Sequence, residues 1–470
     1  MKKLFVLLIC FILVLGCLGC SGGEQKTQTV QTGTFTVGYG RANVTPEVSI
    51  GLTGYGNTAD RMSDNVLSYL YITCLAVTDA DGNTVLLYGI DAVNNDKDVT
   101  NAMRGAVNRA TGVPRENIMI SATHTHSGPE ITNPVFQNLI MTGAVDAAEM
   151  ALADRQEATL KVGTVKTEGL NFVRHYVQEN GNVVGDNFGD KDASPIVGHT
   201  TEADRDMQLM HFVREGKDIV LMNFQAHPTW TGSASSYDIS SDFVGACREK
   251  MEQELDCNVL YFTGAAGNLN AFSRIAEEKT VGSYKEHGYA LAQYALDAMD
   301  TLTEVNTGAV KIGSLNVECV YDYDDGDLGE YVSIVTKAYN AGGGSAAAAA
   351  GRPYGINSIY HARAIIRRAR DKESAGYSTM VTVNTVSFGD VAFAMAPFEL
   401  FCDTGRQIKE GSPYEMTFVL TLANDHNGYL ATETAFEHGC YEVDNRYFVR
   451  GTAEKIGASM VALLEEAYGD

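Results

Sequence analysis

Apolar residues along this chain fall into short continuous runs that alternate with stretches of helical spacing. Residues 84–91 read as a strand, residues 99–111 carry Val99, Met103 and Val107 on one helical face, and residues 117–122 return to a strand. Strand, helix and strand at that spacing predict a parallel pair joined by a right-handed crossover. The alternation recurs at 219–224, 242–255 and 259–263, and residues 381–388 and 391–396 predict a hairpin around Gly389-Asp390. Residues 69–77, around Cys74, read as a further buried strand. The expected fold is α/β, a single large body with a mixed or parallel sheet core and helices. No long repeat is visible in the sequence, and neither a P-loop nor a GxSxG motif occurs.

Three stretches depart from the pattern. Residues 341–353 hold Gly-Gly-Gly-Ser and five alanines, and are expected to be a mobile low-complexity surface insertion. Arg363, Arg367, Arg368 and Arg370 recur at helical spacing within 362–372, as a solvated helix face or, more sharply, a contact for anionic headgroups. The acidic run 322–327 lacks the glycine and terminal glutamate of a calcium loop and reads as a solvated turn.

The first residues set an address. Lys2 and Lys3 precede an apolar run from Leu4 to Leu15, long enough for a secretory leader and too short to span a bilayer. Cys17 and Cys20 then follow small residues, as in the lipobox of bacterial lipoproteins, so either is a candidate for acylation. A plain cleaved leader and a redox CxxC are the alternatives. This predicts a signal peptide over 1–20, a polar tether over 21–33 and a working body over 34–470. The protein is then exported and held by its lipid at the outer face of the cell membrane or on the periplasmic side. Six cysteines lie beyond the leader without metal-type spacing, as core thiols or a disulfide or two. With 35 Lys and Arg against 59 Asp and Glu, the net charge is −24, which excludes a nucleic-acid backbone as partner.

Candidate chemistry sits at strand ends. His124-Thr125-His126 follows the strand at 117–122, and residues two apart in extended chain face the same side, so both imidazoles can converge. Neutral imidazole is the commonest zinc ligand, and ligands in open α/β sheets bind beyond the carboxyl ends of strands. His227 ends the strand at 219–224 in the same way. Glu399 follows a strand and is expected to open a helix running to about residue 408, where it serves either the chemistry or the helix dipole.

The order of these motifs resembles the neutral/alkaline non-lysosomal ceramidases, zinc amidases that hydrolyse N-acylsphingosine. The resemblance runs from Gly38-Tyr39-Gly40-Arg41-Ala42-Asn43-Val44-Thr45-Pro46 to about Glu442, and Ala122-Thr123-His124-Thr125-His126-Ser127-Gly128-Pro129 is its most specific block. Residues 223–228 with 239–243, the corner Pro397-Phe398-Glu399, and residues 424–441 are similar to the remaining blocks. By matched position the resemblance implies one zinc ion on His124, His227, Glu399 and Tyr429. It likewise implies that His126, Arg174 and Tyr441 hold the scissile amide and its oxyanion, with zinc-activated water as nucleophile. His426 is a further residue that can line the site.

Two departures bear on substrate. Asn270, in Gly267-Asn268-Leu269-Asn270, stands where the family has a serine, and the chain stops at Asp470 without the family's C-terminal β-sandwich. The expected function is therefore zinc-dependent hydrolysis of an amide in a lipid-like N-acyl substrate. A metal hydrolase for another acyl or ester substrate, and a non-catalytic surface lipoprotein with a relic metal site, are the alternatives. Oligomeric state is not legible.

Overall fold

The computed structural model describes residues 33–55, 58–233, 236–323, 328–356 and 358–469. The leader, Cys17, Cys20 and nearly all of the tether lie outside the described residues, as do residues 324–327 of the acidic run.

One topological unit occurs three times. Each unit has a strand, a long excursion, two hairpin strands, a helix, a strand parallel to the last, and a closing helix. In the first unit these are β1 (Thr36–Asn43), β2 (Tyr71–Thr78), β3 (Thr84–Ile90), α1 (Lys97–Thr111), β4 (Ile118–Ala122) and α2 (Pro134–Ala153). In the second they are β5 (Gln156–Lys166), β6 (Asp206–Arg214), β7 (Ile219–Phe224), α3 (Asp242–Leu255), β8 (Asn258–Thr263) and α4 (Tyr284–Ala298). In the third, β9 (Val310–Val320) is followed by an excursion that holds α5 (Leu328–Gly351) and α6 (Ile359–Ser374). Then come β10 (Ser378–Phe388), β11 (Val391–Met395), α7 (Cys402–Gly411), β12 (Met416–Leu420) and α8 (Thr452–Gly469). The first three strands of every unit pair antiparallel in sequence order, and the third pairs parallel with the fourth. The fold therefore repeats, although the sequence shows no long repeat. The repeat resides in pairing and burial, while excursions of unlike length (44–70, 167–205 and 321–377) keep the sequences out of register.

The first two units join through β1 and β5 into one nine-stranded sheet, ordered β8-β7-β6-β5-β1-β2-β3-β4, with Thr303–Val305 as a ninth strand beside β5. The third unit forms a separate four-stranded sheet. Alternation along each strand explains why the two sheets stack. Leu75, Val85, Met119, Leu221 and Phe262 of the large sheet share one core with Val386, Phe393 and Phe418 of the small one. The opposite side chains of the large sheet pack beneath α1 and α2 or beneath α3 and α4. Those of the small sheet pack beneath α7 and α8. The result is a helix–sheet–sheet–helix sandwich, mixed in strand direction. Helix α2 lies so close on β1 that a Cβ on Gly40 would stand 1.9 Å from the Ala147 carbonyl oxygen.

Two local expectations are corrected. Gly342 and Gly343 leave helical backbone and break α5 in two, and the alanine-rich residues after them are helical, with Ala347 buried against Ile356 and Ile365, because alanine has the highest helix propensity. Arg370 of α6 is exposed, but two other arginines turn away from the expected solvated face. Arg368 is buried and donates to the Asp444 carbonyl, and Arg367 donates to those of Asn445 and Arg446 with its guanidinium stacked 3.8 Å from the Tyr447 ring centre. The six cysteines are all buried free thiols, in keeping with the core-thiol reading, and no disulfide joins the described residues.

Candidate metal and acyl site

The parallel strand pair of each unit ends at the same place. Thr263 Oγ1 donates to the Thr123 carbonyl at 2.7 Å, Ser121 Oγ to the Thr421 carbonyl at 2.9 Å, and Thr421 Oγ1 to the Gly264 carbonyl at 3.1 Å. This triangle ties β4, β8 and β12 together at their carboxyl ends. Candidate residues leave from these ends: His124 and His126 after β4, His227 after β7, Glu399 after β11, and His426 and Tyr429 after β12. His124 (φ 70°), Leu422 (φ 50°) and Asn424 (φ 67°) turn through left-handed backbone there. Such conformations cost on the order of 1–3 kcal/mol each and cluster where side chains must be aimed. Glu399 does not open a helix. It sits in a two-residue strand whose partner is Tyr429, so both side chains share one face, and α7 begins only at Cys402.

The polar atoms meet. His124 Nε2 lies 3.2 Å and His227 Nε2 3.3 Å from Glu399 Oε2, in a pocket where the three residues are 4%, 1% and 7% exposed. A neutral imidazole has one N–H. His227 donates its own, from Nδ1, to the Ala266 carbonyl at 2.7 Å, and His124 donates from Nδ1 to the Val93 carbonyl. Burial, then Arg174, pull His227 down to about 4, so its ring is neutral. Burial alone would raise the Glu399 carboxyl, but His124, His227 and His426 outweigh it and hold the group well below its ordinary value. The His227 lone pair and an ionised carboxylate oxygen therefore face each other beside His124 Nε2, and neither His227 Nε2 nor Glu399 Oε2 has a hydrogen-bond partner. A small cation relieves this repulsion. Ligand atoms at the usual zinc bond lengths on a tetrahedron lie about 3.3 Å apart, which is the spacing present.

His426 Nδ1 accepts from Asn94 and its Nε2 donates to Glu399 Oε1 at 3.3 Å, so this residue orients the carboxylate. Tyr429 completes the side of the site toward Arg174, whose guanidinium carbon lies 5.5 Å from the Tyr429 ring centre and 6.0 Å from that of Tyr441. The two tyrosine rings are themselves 5.6 Å apart. Burial, then Glu399, hold the Tyr429 phenol well above its ordinary value, with Arg174 opposing. His126 Nε2 is 3.3 Å from His124 Nε2, and the ring nitrogens of His124, His126 and His227 form one buried cluster suited to a metal ion. The structure thus brings all seven sequence-derived residues into one site. Asn270 lies at its edge, bridged through its backbone to His227, with Nδ2 donating 2.6 Å to Asp186, which also pairs with Arg274.

Of the residues that cover the site, sequence reasoning found Arg174 and missed Tyr55 and Tyr360. Each unit's excursion supplies a cover residue. The first brings Tyr55, edge-on to His126 at 5.1 Å. The second brings Arg174, and the third brings Tyr360, edge-on to Tyr441 at 5.2 Å. Tyr55 and Tyr360 belong to no spacing pattern and become visible only when the excursions fold back.

Gly54 shows how closely. At φ 102° it is held where an L side chain is strained, and a Cβ there would meet His126 Nδ1 at 2.7 Å. Gly54→Ala is expected to displace His126 and lower kcat about 100-fold, and metal content unchanged by elemental analysis would show that His126 is not itself a ligand.

Residues 35–280 match the family described as neutral/alkaline non-lysosomal ceramidase, N-terminal. The chain belongs to this ceramidase family. Membership makes it a hydrolase, and the matched residues cover the first unit and the second as far as the strand β8, with His124, His126, Arg174 and His227; α4, Glu399, Tyr429 and Tyr441 lie beyond them. Among solved structures, the chain is similar to the neutral ceramidase from Pseudomonas aeruginosa at 17% identity. That match has a TM-score of 0.67 and covers 92% of this chain and 74% of that one. It is also similar to a ceramidase complexed with C2, at 16% identity and TM-score 0.68, over 92% and 75% of the two chains. At such identities the ceramidase structures share the fold.

Proposed function

We propose that the protein is a zinc-dependent amidohydrolase that cleaves the amide of an N-acylsphingosine or related N-acyl lipid. The observation that carries this reading is the buried convergence of His124 Nε2, His227 Nε2 and Glu399 Oε2, the last two without any hydrogen-bond partner. Together with Tyr429 these residues would hold one zinc ion. Zinc, when bound there, lowers the pKa of water toward ~7 and polarises a carbonyl.

The chain's own groups supply the remainder. Arg174 keeps its charge, because burial, which would lower it, is outweighed by Glu442 beside it. It stands with the Tyr441 phenol, which burial holds protonated, as a pair of donors for the oxyanion that forms as the amide carbonyl is attacked. His126, in the cluster but with its Nδ1 unpartnered, is placed to carry a proton to the departing amine. Burial holds it neutral, ready to accept that proton first. The leader belongs to the same proposal. Export and acylation at Cys17 or Cys20 rest on the apolar run and the small residues ahead of each cysteine, and would hold the body of 34–470 against its lipid substrate.

One observation favours a second reading, a metal hydrolase for a different acyl substrate. Asn270 replaces the expected serine and is bound to Asp186, which gives the site edge an acidic neighbour. A panel of N-acylsphingosines, N-acyl amino acids and acyl esters separates the two. Fatty-acid release at least about 10-fold faster, in kcat/KM, from N-acylsphingosine supports the first reading. Preference for esters or N-acyl amino acids supports the second.

A further inference from the structure

We propose that Glu442 and His175 are positioning residues that set Arg174 and Tyr441 as one unit toward the acyl carbonyl. The inference rests on the amidohydrolase reading given above and extends it to two residues outside the motifs.

Glu442 is fully buried and both its oxygens are used. Oε1 accepts from Arg174 Nε and Nη2, each at 2.6 Å, and Oε2 accepts from His175 Nε2 at 2.8 Å. Arg174 Nη2 donates also to the Gly267 carbonyl at 2.7 Å. That carbonyl belongs to the loop whose Ala266 carbonyl holds His227, so one loop orients both groups. Adjacent side chains in a strand point to opposite faces, yet Arg174 and His175 reach the same carboxylate. They do so because Arg174 falls in the break between the strands Phe172–Val173 and His175–Gln178. Glu442 directly follows Tyr441 on one helical turn, Tyr441–Asp444. The carboxylate that fixes the guanidinium is therefore on the same turn as the phenol. From the other side, Arg367 and Arg368 grip the carbonyls of 444–446.

His175, Cys440 and Glu442 also bring three possible ligand atoms together. A metal ion is the poorer occupant, since Arg174 already matches the Glu442 charge and burial keeps the Cys440 thiol protonated. What the arrangement provides is preorganisation. Oxyanion donors act through placement before the reaction, so loosening them lowers kcat more than it raises KM.

The test uses zinc-loaded full-length protein and a short-chain N-acylsphingosine. Glu442→Gln is expected to lower kcat about 30- to 100-fold, with KM within about three-fold and metal content unchanged. His175→Phe should lower kcat similarly. His175→Gln, whose amide can still donate to Glu442, should recover most of it, which a merely structural role would not produce. Wild-type kcat in Glu442→Gln, or equal losses in His175→Phe and His175→Gln, would overturn the proposal. So would a second metal ion per chain that Glu442→Gln removes.

An activity-independent arm uses ¹⁵N-arginine-labelled protein, with the Arg174 signal assigned by Arg174→Lys. Slow solvent exchange of the Arg174 Nε–H in the wild type and fast exchange in Glu442→Gln support the positioning role. Fast exchange in the wild type, or no change in the variant, overturns it. Wild-type protein inactive on the probe defeats the amidohydrolase reading, and the exchange arm then decides the positioning claim by itself.

Discussion

His227→Ala is expected to release the bound metal and to lower kcat/KM by roughly three orders of magnitude or more, while the protein stays folded. His227 contributes one of the two imidazole nitrogens that face Glu399 Oε2, and its ring is fixed by the Ala266 carbonyl rather than by other site residues. Its loss removes a ligand without unpinning the strand ends, which are held by the Thr263, Ser121 and Thr421 hydroxyls. Elemental analysis together with fatty-acid release from N-acylsphingosine checks this. His126→Ala provides the contrast, because it should keep the metal and lose turnover. A His227→Ala protein that retains a full equivalent of metal would exclude this residue as a ligand.

Arg174→Lys is expected to lower kcat about 100-fold with KM changed only a few-fold. Lysine keeps the charge that Glu442 requires but replaces a planar fork by a single point donor. Arg174→Ala is a poorer probe, because it would leave the buried Glu442 carboxylate without its partner. Breaking a buried pair in that way costs about 3–5 kcal/mol, so that variant should melt well below the wild type. Tyr441→Phe removes the second donor and should cost less. The double variant should fall short of the product of the single effects, because the two residues act on one developing charge. Steady-state kinetics with thermal melting of all four proteins separates lost catalysis from lost stability.

Much of this site was legible in the sequence because its residues leave the ends of strands that announce themselves. Continuous apolar runs at 117–122 and 219–224 marked β4 and β7, and the histidines two and three residues beyond them are those that converge. The Gly389-Asp390 hairpin was equally plain. Glu399 was located, but its strand pairing with Tyr429 was not, since two-residue strands leave no periodic trace.

The excursions were illegible for a different reason. Their residues obey no single period, because they are fixed by what they fold against. The arginines of α6 have the spacing of a solvated face, and only the carbonyls of 444–446 turn two of them inward. His175 and Glu442 lie 267 positions apart, and no local pattern links them. The triple repeat escaped notice because it conserves strand pairing and burial rather than residue identity. That repeat accounts for the site's place in the fold. Three parallel strand pairs end at one point, and three excursions close over it.

The measurement that tests the central claim most directly is anomalous diffraction at the zinc edge from crystals of the purified protein. One peak per chain is predicted, within about 2–2.3 Å of His124 Nε2, His227 Nε2 and a Glu399 oxygen. No peak at those atoms, or a sole peak at the His175–Cys440–Glu442 cluster, would contradict it.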